Sequence, residues 1–274
     1  TPEMMNCLLA DTEHWVRQWL ALNPKLTESH LYSLAQDAHK EVRRAVARNP
    51  KTNSALLGQL ANDQEVWVRA AVANQPNTPA STLIILAEMD DIDVLGGVAA
   101  NPKTPQKVLQ RLSYSISADV RRAVILNKMA IRQTLLPLLD DPYYEVRTVA
   151  ARAFAVLIPQ DADTDTEIVT RILDIIQDRS FEVKAEAVLT LGKIGTASVI
   201  DDFRPLYLFP NWKVRTAVIS ALTDLVRRHL ISDLEALQQD LDNILVTCVH
   251  FEPTFPIKQT LNNLTEVIRQ HHSA

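Results

Sequence analysis

The chain has 274 residues, 47% of them hydrophobic, 22% charged and only five of them glycine. That is enough apolar material for a large core, but glycine falls far below its usual share of about 7%, leaving little material for hairpins or phosphate loops, and an all-helical fold is expected. A formal net charge of −5 excludes a global field that attracts nucleic acid or an anionic membrane, and Cys7 and Cys248 form neither a CxxC pair nor a ligand-spaced cluster.

In chain order, the first feature is a pair, Val16-Arg17. It returns every 26 residues as Val42-Arg43, Val68-Arg69, Val94-Leu95, Val120-Arg121 and Val146-Arg147. Leu34, Leu60, Leu86, Leu112 and Leu138 keep the same step. So do Asn23-Pro24, Asn49-Pro50, Gln75-Pro76, Asn101-Pro102 and Asn127-Lys128, where the proline is lost. Proline disfavours helix for the residue before it, so each Asn-Pro marks a corner between helices. Thr78-Pro79 and Thr104-Pro105 predict a capping hydroxyl followed by proline in the first helical turn, with Thr27 and Thr52 at equivalent positions. Each repeat is therefore expected to hold two short helices, about 52–61 and 65–74 in the third. Neither buries its apolar stripe alone, so repeats must stack as a solenoid.

Residues 23–105 resemble the leucine-rich repeat variant family. The pattern of Asn-Pro, Thr-Pro, Leu-x-x-Leu-Ala-x-Asp and Val-Arg-x-Ala-Val-Ala stands here nearly complete, most clearly at Asn101-Pro-Lys-Thr-Pro105. The resemblance implies a right-handed superhelix without strands, in which one helix of each pair can be 3₁₀. That family's iron–sulfur cysteine cluster has no counterpart beside Cys7, so no cofactor is carried over.

Beyond Phe154 the spacing lengthens. Val183-Lys184 comes 37 residues after Val146-Arg147, and Val214-Arg215 follows 31 later. Asp141-Pro-Tyr-Tyr-Glu-Val-Arg147 and Asp178-Arg-Ser-Phe-Glu-Val-Lys184 look like HEAT-like repeats, of the kind also found in phycobilin lyases. The resulting division is 1–136 for the 26-residue repeats, 137–228 for the HEAT-like ones, and 229–274 for a helical cap opened by the capping box Ser232-Asp-Leu-Glu235. One continuous all-α solenoid of about eight repeats plus the cap is expected.

Six residues before each arginine position stand Asp11, Asp37, Asp63, Met89, Ser115 and Asp141, and Asp178 precedes Lys184 by the same step. Met89 and Leu95 lose both charges of one repeat together. This suggests that turn aspartate and helix arginine are partners, within a repeat or between neighbours. The repeated asparagines read as a column of amides serving orphaned backbone groups. Gly96-Gly97, in the second helix of the fourth repeat, is expected to make that repeat a soft joint; the alternative is that Gly97 merely admits close packing against a bulky neighbour such as Trp67.

Chemistry is hard to find. The carboxylates of 161–167 alternate as in a calcium loop but lack its glycine and closing glutamate, and none of the seven histidines falls in a zinc-binding pattern. No nucleophile stands out, so catalytic, cofactor and metal sites are all expected to be absent. Surface recognition leaves a better trace. With Val42, Ala45 and Val46 inward, Glu41, Arg44 and Arg48 share an outer ridge. Equivalent positions hold Trp15, Trp67, Arg122, Glu145 and Arg152. Trp15, Arg44, Arg48, Trp67, Arg122 and Arg152 are the candidate protein-binding residues, with Tyr143 and Tyr144 as further candidates. The expected function is a non-catalytic, cytoplasmic scaffold or adaptor with a protein partner. The rivals are a tetrapyrrole chromophore lyase or chaperone component and a nucleic-acid-binding solenoid. Thr1 in place of methionine leaves residues upstream open.

Overall fold

The computed structural model describes residues 2–157, 166–231, 233–248 and 255–272. Among them every regular element is helical. The acidic stretch 161–165 and Ser232 of the expected capping box lie outside the described residues; at the start of the cap helix the Asp233 Oδ1 accepts the Ala236 N–H at 2.9 Å. The chain divides into two compact units, residues 1–134 and 135–274.

The N-terminal unit is a stack of helical pairs. After α1 (Pro2–Leu9) come α2 (His14–Ala21), α3 (Glu28–Leu34), α4 (Lys40–Arg48), α5 (Ser54–Leu60), α6 (Val66–Asn74), α7 (Ala80–Ala87), α8 (Ile92–Ala100), α9 (Gln106–Leu112) and α10 (Ala118–Leu126). The even-numbered helices pack each on the next, while each odd-numbered helix from α3 to α9 bridges the two that flank it. Val42 and Val46, Val68 and Val72, Val94 and Val98, and Val120 and Val124 sit four residues apart and are fully buried. They meet Leu57, Leu83, Leu86 and Leu109 of the other row, also fully buried. Each such side chain contributes about 1.5–3 kcal/mol by leaving water.

Both rows of this unit are α-helical. The 3₁₀ helices are Leu136–Asp140 and Arg204–Leu206, each with proline in its first two positions. The threonines act otherwise than expected. Thr27 does cap α3, accepting from the His30 N–H. Thr52, Thr78 and Thr104 are buried, and their hydroxyls donate back to Val46 O, Val72 O and Val98 O at 2.5–2.6 Å. They satisfy the end of the preceding helix. The next helix starts at Asn53, Pro79 or Pro105, each in extended conformation at the N-cap.

The C-terminal unit repeats the plan with longer second helices. α11 (Arg132–Leu135) lies at the division, followed by α12 (Tyr144–Leu157), α13 (Thr166–Ile175), α14 (Phe181–Ile194), α15 (Val199–Phe203), α16 (Trp212–Arg227), α17 (Leu234–Cys248) and α18 (Phe255–His272). α12, α14, α16 and α18 stack in that order. Gly192 lets α14 lie directly on α16, since a Cβ there would sit 2.5 Å from Ala221 Cα.

Gly97 does the same between α6 and α8. A Cβ would lie 2.8 Å from Ala73 Cβ and 2.6 Å from Asn74 Nδ2, so the close neighbour is the end of α6 and not Trp67. Gly96 faces open space. Gly97→Ala should therefore lower stability by about 1–3 kcal/mol through overpacking, while Gly96→Ala should raise it by up to about 1 kcal/mol. Thermal melting of the two variants checks both signs; equal effects would refute the assignment of the packing role to Gly97 alone.

Candidate interaction face

The repeated polar residues prove to be couplings between neighbouring repeats. Asn49 Nδ2 donates to Ala21 O at 2.6 Å and Asn23 O at 3.0 Å, both in the preceding repeat. Gln75 reaches Ala47 O and Asn49 O, Asn101 reaches Ala73 O and Gln75 O, and Asn127 reaches Ala99 O and Asn101 O. The asparagine Oδ1 atoms also accept the N–H two residues on, at Lys51, Lys103 and Met129. Asn127 works without its proline, so the amide is the working part of the corner.

The arginines reach in both directions. Arg43 NH1 donates to the backbone carbonyls of Asp37 and Ala38 at 2.8 and 3.1 Å, closing the turn before its own helix. Its Nε and NH2 fork onto the carboxylate of Asp63, in the next repeat, at 2.6 and 2.9 Å. Arg17 grips Asp37, and Arg147 grips Asp178, in the same bidentate way. Of the two pairings left open, these arginines therefore take the one with the following repeat. The own-repeat contact is to a carbonyl, so the side chain there is immaterial: Arg121 uses Ser115 O and Arg215 uses Phe209 O. Where Met89 replaces the aspartate, Arg69 takes Asp91 instead, at 2.6 Å. Lys184 donates to Ile176 O at 2.8 Å, and its ammonium lies 5.5 Å from the centre of the Phe209 ring, which occupies the next repeat's aspartate position.

Burial raises the Asp63 carboxyl, but hydrogen bonds from Arg43 and the Glu65 N–H, together with the charges of Arg43 and Arg69, hold it below the ordinary carboxylate range. Asp37 and Asp178 are held down in the same manner by Arg17 and Arg147. Burial lowers Lys184 despite the nearby charge of Asp178.

With these groups committed to the stack, the outward side of the second helices is what remains. Trp15, on α2, is 55% exposed and Trp67, on α6, is 46% exposed. The arginine Cζ of Arg44 lies 5.8 Å from the centre of the Trp67 ring. Arg44, Arg48 and Trp67 converge on a groove of about 280 Å³ over α6, floored by Ala70 and Ala71 and rimmed on the far side by Asp93 of α8. Arg122, on α10, lies 3.5 Å from Asp119, three residues earlier. Arg152, on α12, is forked onto Glu186. The structure thus brings three of the six candidates together; Trp15, Arg122 and Arg152 do not line this groove. Tyr143 and Tyr144 are exposed, 54% and 43%.

Sequence reading missed two contributors to this face. Trp19, at 71% exposure, stands where later repeats place the small residues Ala45, Ala71 and Gly97, and that departure was the available signal. Asp93 was visible only as part of a solvated turn, although it shares a register position with Trp67. Among the described residues no three His, Cys, Asp or Glu side chains are grouped to hold a metal ion, and no helix is long and apolar enough to cross a membrane.

A family model described as HEAT repeats matches residues 132–223 and 169–244. Among solved structures, Escherichia coli YibA is similar over 93% of this chain and 97% of its own, with 20% identity and a TM-score of 0.54. The chain is a helical-repeat protein. A structure described as a leucine-rich repeat variant with a novel repetitive protein structural motif is similar over 69% of this chain and 71% of its own, at 25% identity and a TM-score of 0.51. No curated protein matches by sequence.

Proposed function

We propose that the protein is a non-catalytic adaptor, cytoplasmic in location, that holds a protein partner on the outward side of its second helices. The observation that carries this reading is the meeting of Arg44, Arg48 and the half-exposed Trp67 at one groove, while the arginines of the Val-Arg register are committed to holding the stack. Tryptophan and arginine around a concave patch are the composition of binding hot spots. Trp15 and Trp19, both exposed on α2, offer further apolar area on the same row of helices. The same reading treats 1–136 as repeats like the leucine-rich repeat variant, 137–228 as HEAT-like, and 229–274 as the closing cap.

The test is capture of a partner from the source cell by the tagged chain. Trp67→Ala should weaken capture by at least about 2 kcal/mol, as should Arg44→Glu combined with Arg48→Glu, with helical content and melting nearly unchanged. A Trp67→Ala protein that melts early would mark the tryptophan as packing. A chain that captures a tetrapyrrole or a nucleic acid, and no protein, would replace the reading altogether.

A further inference from the structure

We propose that the groove over α6 receives an extended acidic peptide segment, its carboxylates on Arg44 and Arg48 and an apolar side chain against Trp67. The inference rests on the adaptor reading above and gives its partner a chemistry.

Most arginines of the stack already have carboxylates. Arg17, Arg43, Arg69, Arg111, Arg147 and Arg171 each meet an aspartate or glutamate of another helix or turn. Arg44 and Arg48 meet none: no hydrogen bond or ion pair links either to another described residue, and the Arg44 Nε is buried without an acceptor. Four residues apart on α4, the two cations lie on one side of the helix and repel each other. A carboxylate between them relieves that repulsion and takes the exposed ends of the guanidinium groups in the forked geometry they favour. Trp67 holds the Arg44 cation against its ring and offers apolar area beside it. The floor is made of Ala70 and Ala71, whose small side chains let main chain approach α6 closely.

The far rim distinguishes a peptide from a nucleic acid. Asp93 lies across α6 from the arginines, and Glu41 and Asp119 hold its register position on α4 and α10. A phosphate backbone carries charge at every step and would meet these acids, in a chain whose net charge is already −5. A peptide can set acids at Arg44 and Arg48 and a neutral or basic residue at Asp93. The binding direction is thereby polar across the groove.

Fluorescence anisotropy of the full chain at low salt with fluorescein-labelled octaglutamate, octaglutamine, octalysine and a twelve-nucleotide thymidine strand tests the inference. Octaglutamate should bind at least about tenfold tighter than octaglutamine, against the overall charge of the protein, as expected of charge-assisted pairs. Arg44→Glu with Arg48→Glu should remove this preference, a loss of roughly 30-fold or more if the pair is a hot spot. Asp93→Asn should tighten octaglutamate binding. Octaglutamate binding that ignores the arginine pair, or no binding above octaglutamine, overturns the proposal. So does an arginine-dependent affinity for the thymidine strand above that for octaglutamate, which would assign the groove to nucleic acid, or a preference for octalysine. If partner capture depends on Trp67 and the arginines while octaglutamate fails to bind, the acidic class is wrong and the adaptor reading stands; if capture is also indifferent to them, both fall.

Discussion

Asn101→Leu should destabilise the protein by about 3 kcal/mol, because it strands two carbonyls and one N–H in a place water does not reach. The amide of Asn101 is 2% exposed and donates to Ala73 O at 2.7 Å and Gln75 O at 2.9 Å, while its oxygen accepts the Lys103 N–H at 3.0 Å. Leucine fills a similar volume but answers none of these groups. Gln75 supplies an internal comparison. It reaches the equivalent carbonyls at 3.1 and 3.2 Å but accepts nothing from the N–H two residues on. Asn101→Gln should accordingly keep most of the stability and lose only about 1 kcal/mol for the missing acceptor. Denaturant unfolding of both variants checks the order; a leucine variant as stable as the glutamine one would show that the column does not hold the repeats together.

Arg43→Leu should cost about 3–5 kcal/mol, since it leaves the Asp63 carboxylate, 7% exposed, without its fork. Adding Asp63→Leu should recover much of the loss. Adding Asp37→Leu should not, because Arg43 uses only the backbone carbonyl of Asp37. The cycle therefore predicts strong coupling with residue 63 and near-additivity with residue 37. Acid gives the same test a second axis. The folded-state carboxyl of Asp63 is lowered, so its contribution is fully present above the unfolded value near 4 and is lost as pH falls through the depressed folded value. The gap between wild type and Arg43→Leu should narrow in that acid range. A gap independent of pH there would contradict the ion pair.

The period of 26 made the helices legible, and for the third repeat the expected 52–61 and 65–74 lie close to the observed 54–60 and 66–74. The direction of each arginine was hidden by the same period. An aspartate six residues before and another twenty residues after sum to 26, so pairing within a repeat and between repeats leave identical patterns. Only an irregularity separates them. Ser115 stands twenty residues after Leu95, so the repeat that lacks the arginine precedes one that lacks the aspartate. Lys184 and Phe209 break the rule together in the same sense, exchanging an ion pair for a cation over a ring. The threonines misled because a hydroxyl before proline satisfies either the helix behind it or the helix ahead, and spacing does not choose. Of the candidate face, helical periodicity placed Arg44, Arg48 and Trp67 outward. The groove between them depends on the small residues of α6 and on Asp93 from the next helix, which a single helix pattern does not bring together.

The most direct test of the adaptor reading is photo-crosslinking in the source cell with a benzophenone amino acid at position 67, on the proposed face, against position 59, an exposed glutamine of α5 in the other helical row. A discrete protein adduct is expected from position 67 that disappears with Arg44→Glu and Arg48→Glu, and none from position 59. Adducts from both positions alike, or a position-67 adduct indifferent to the two arginines, would contradict it.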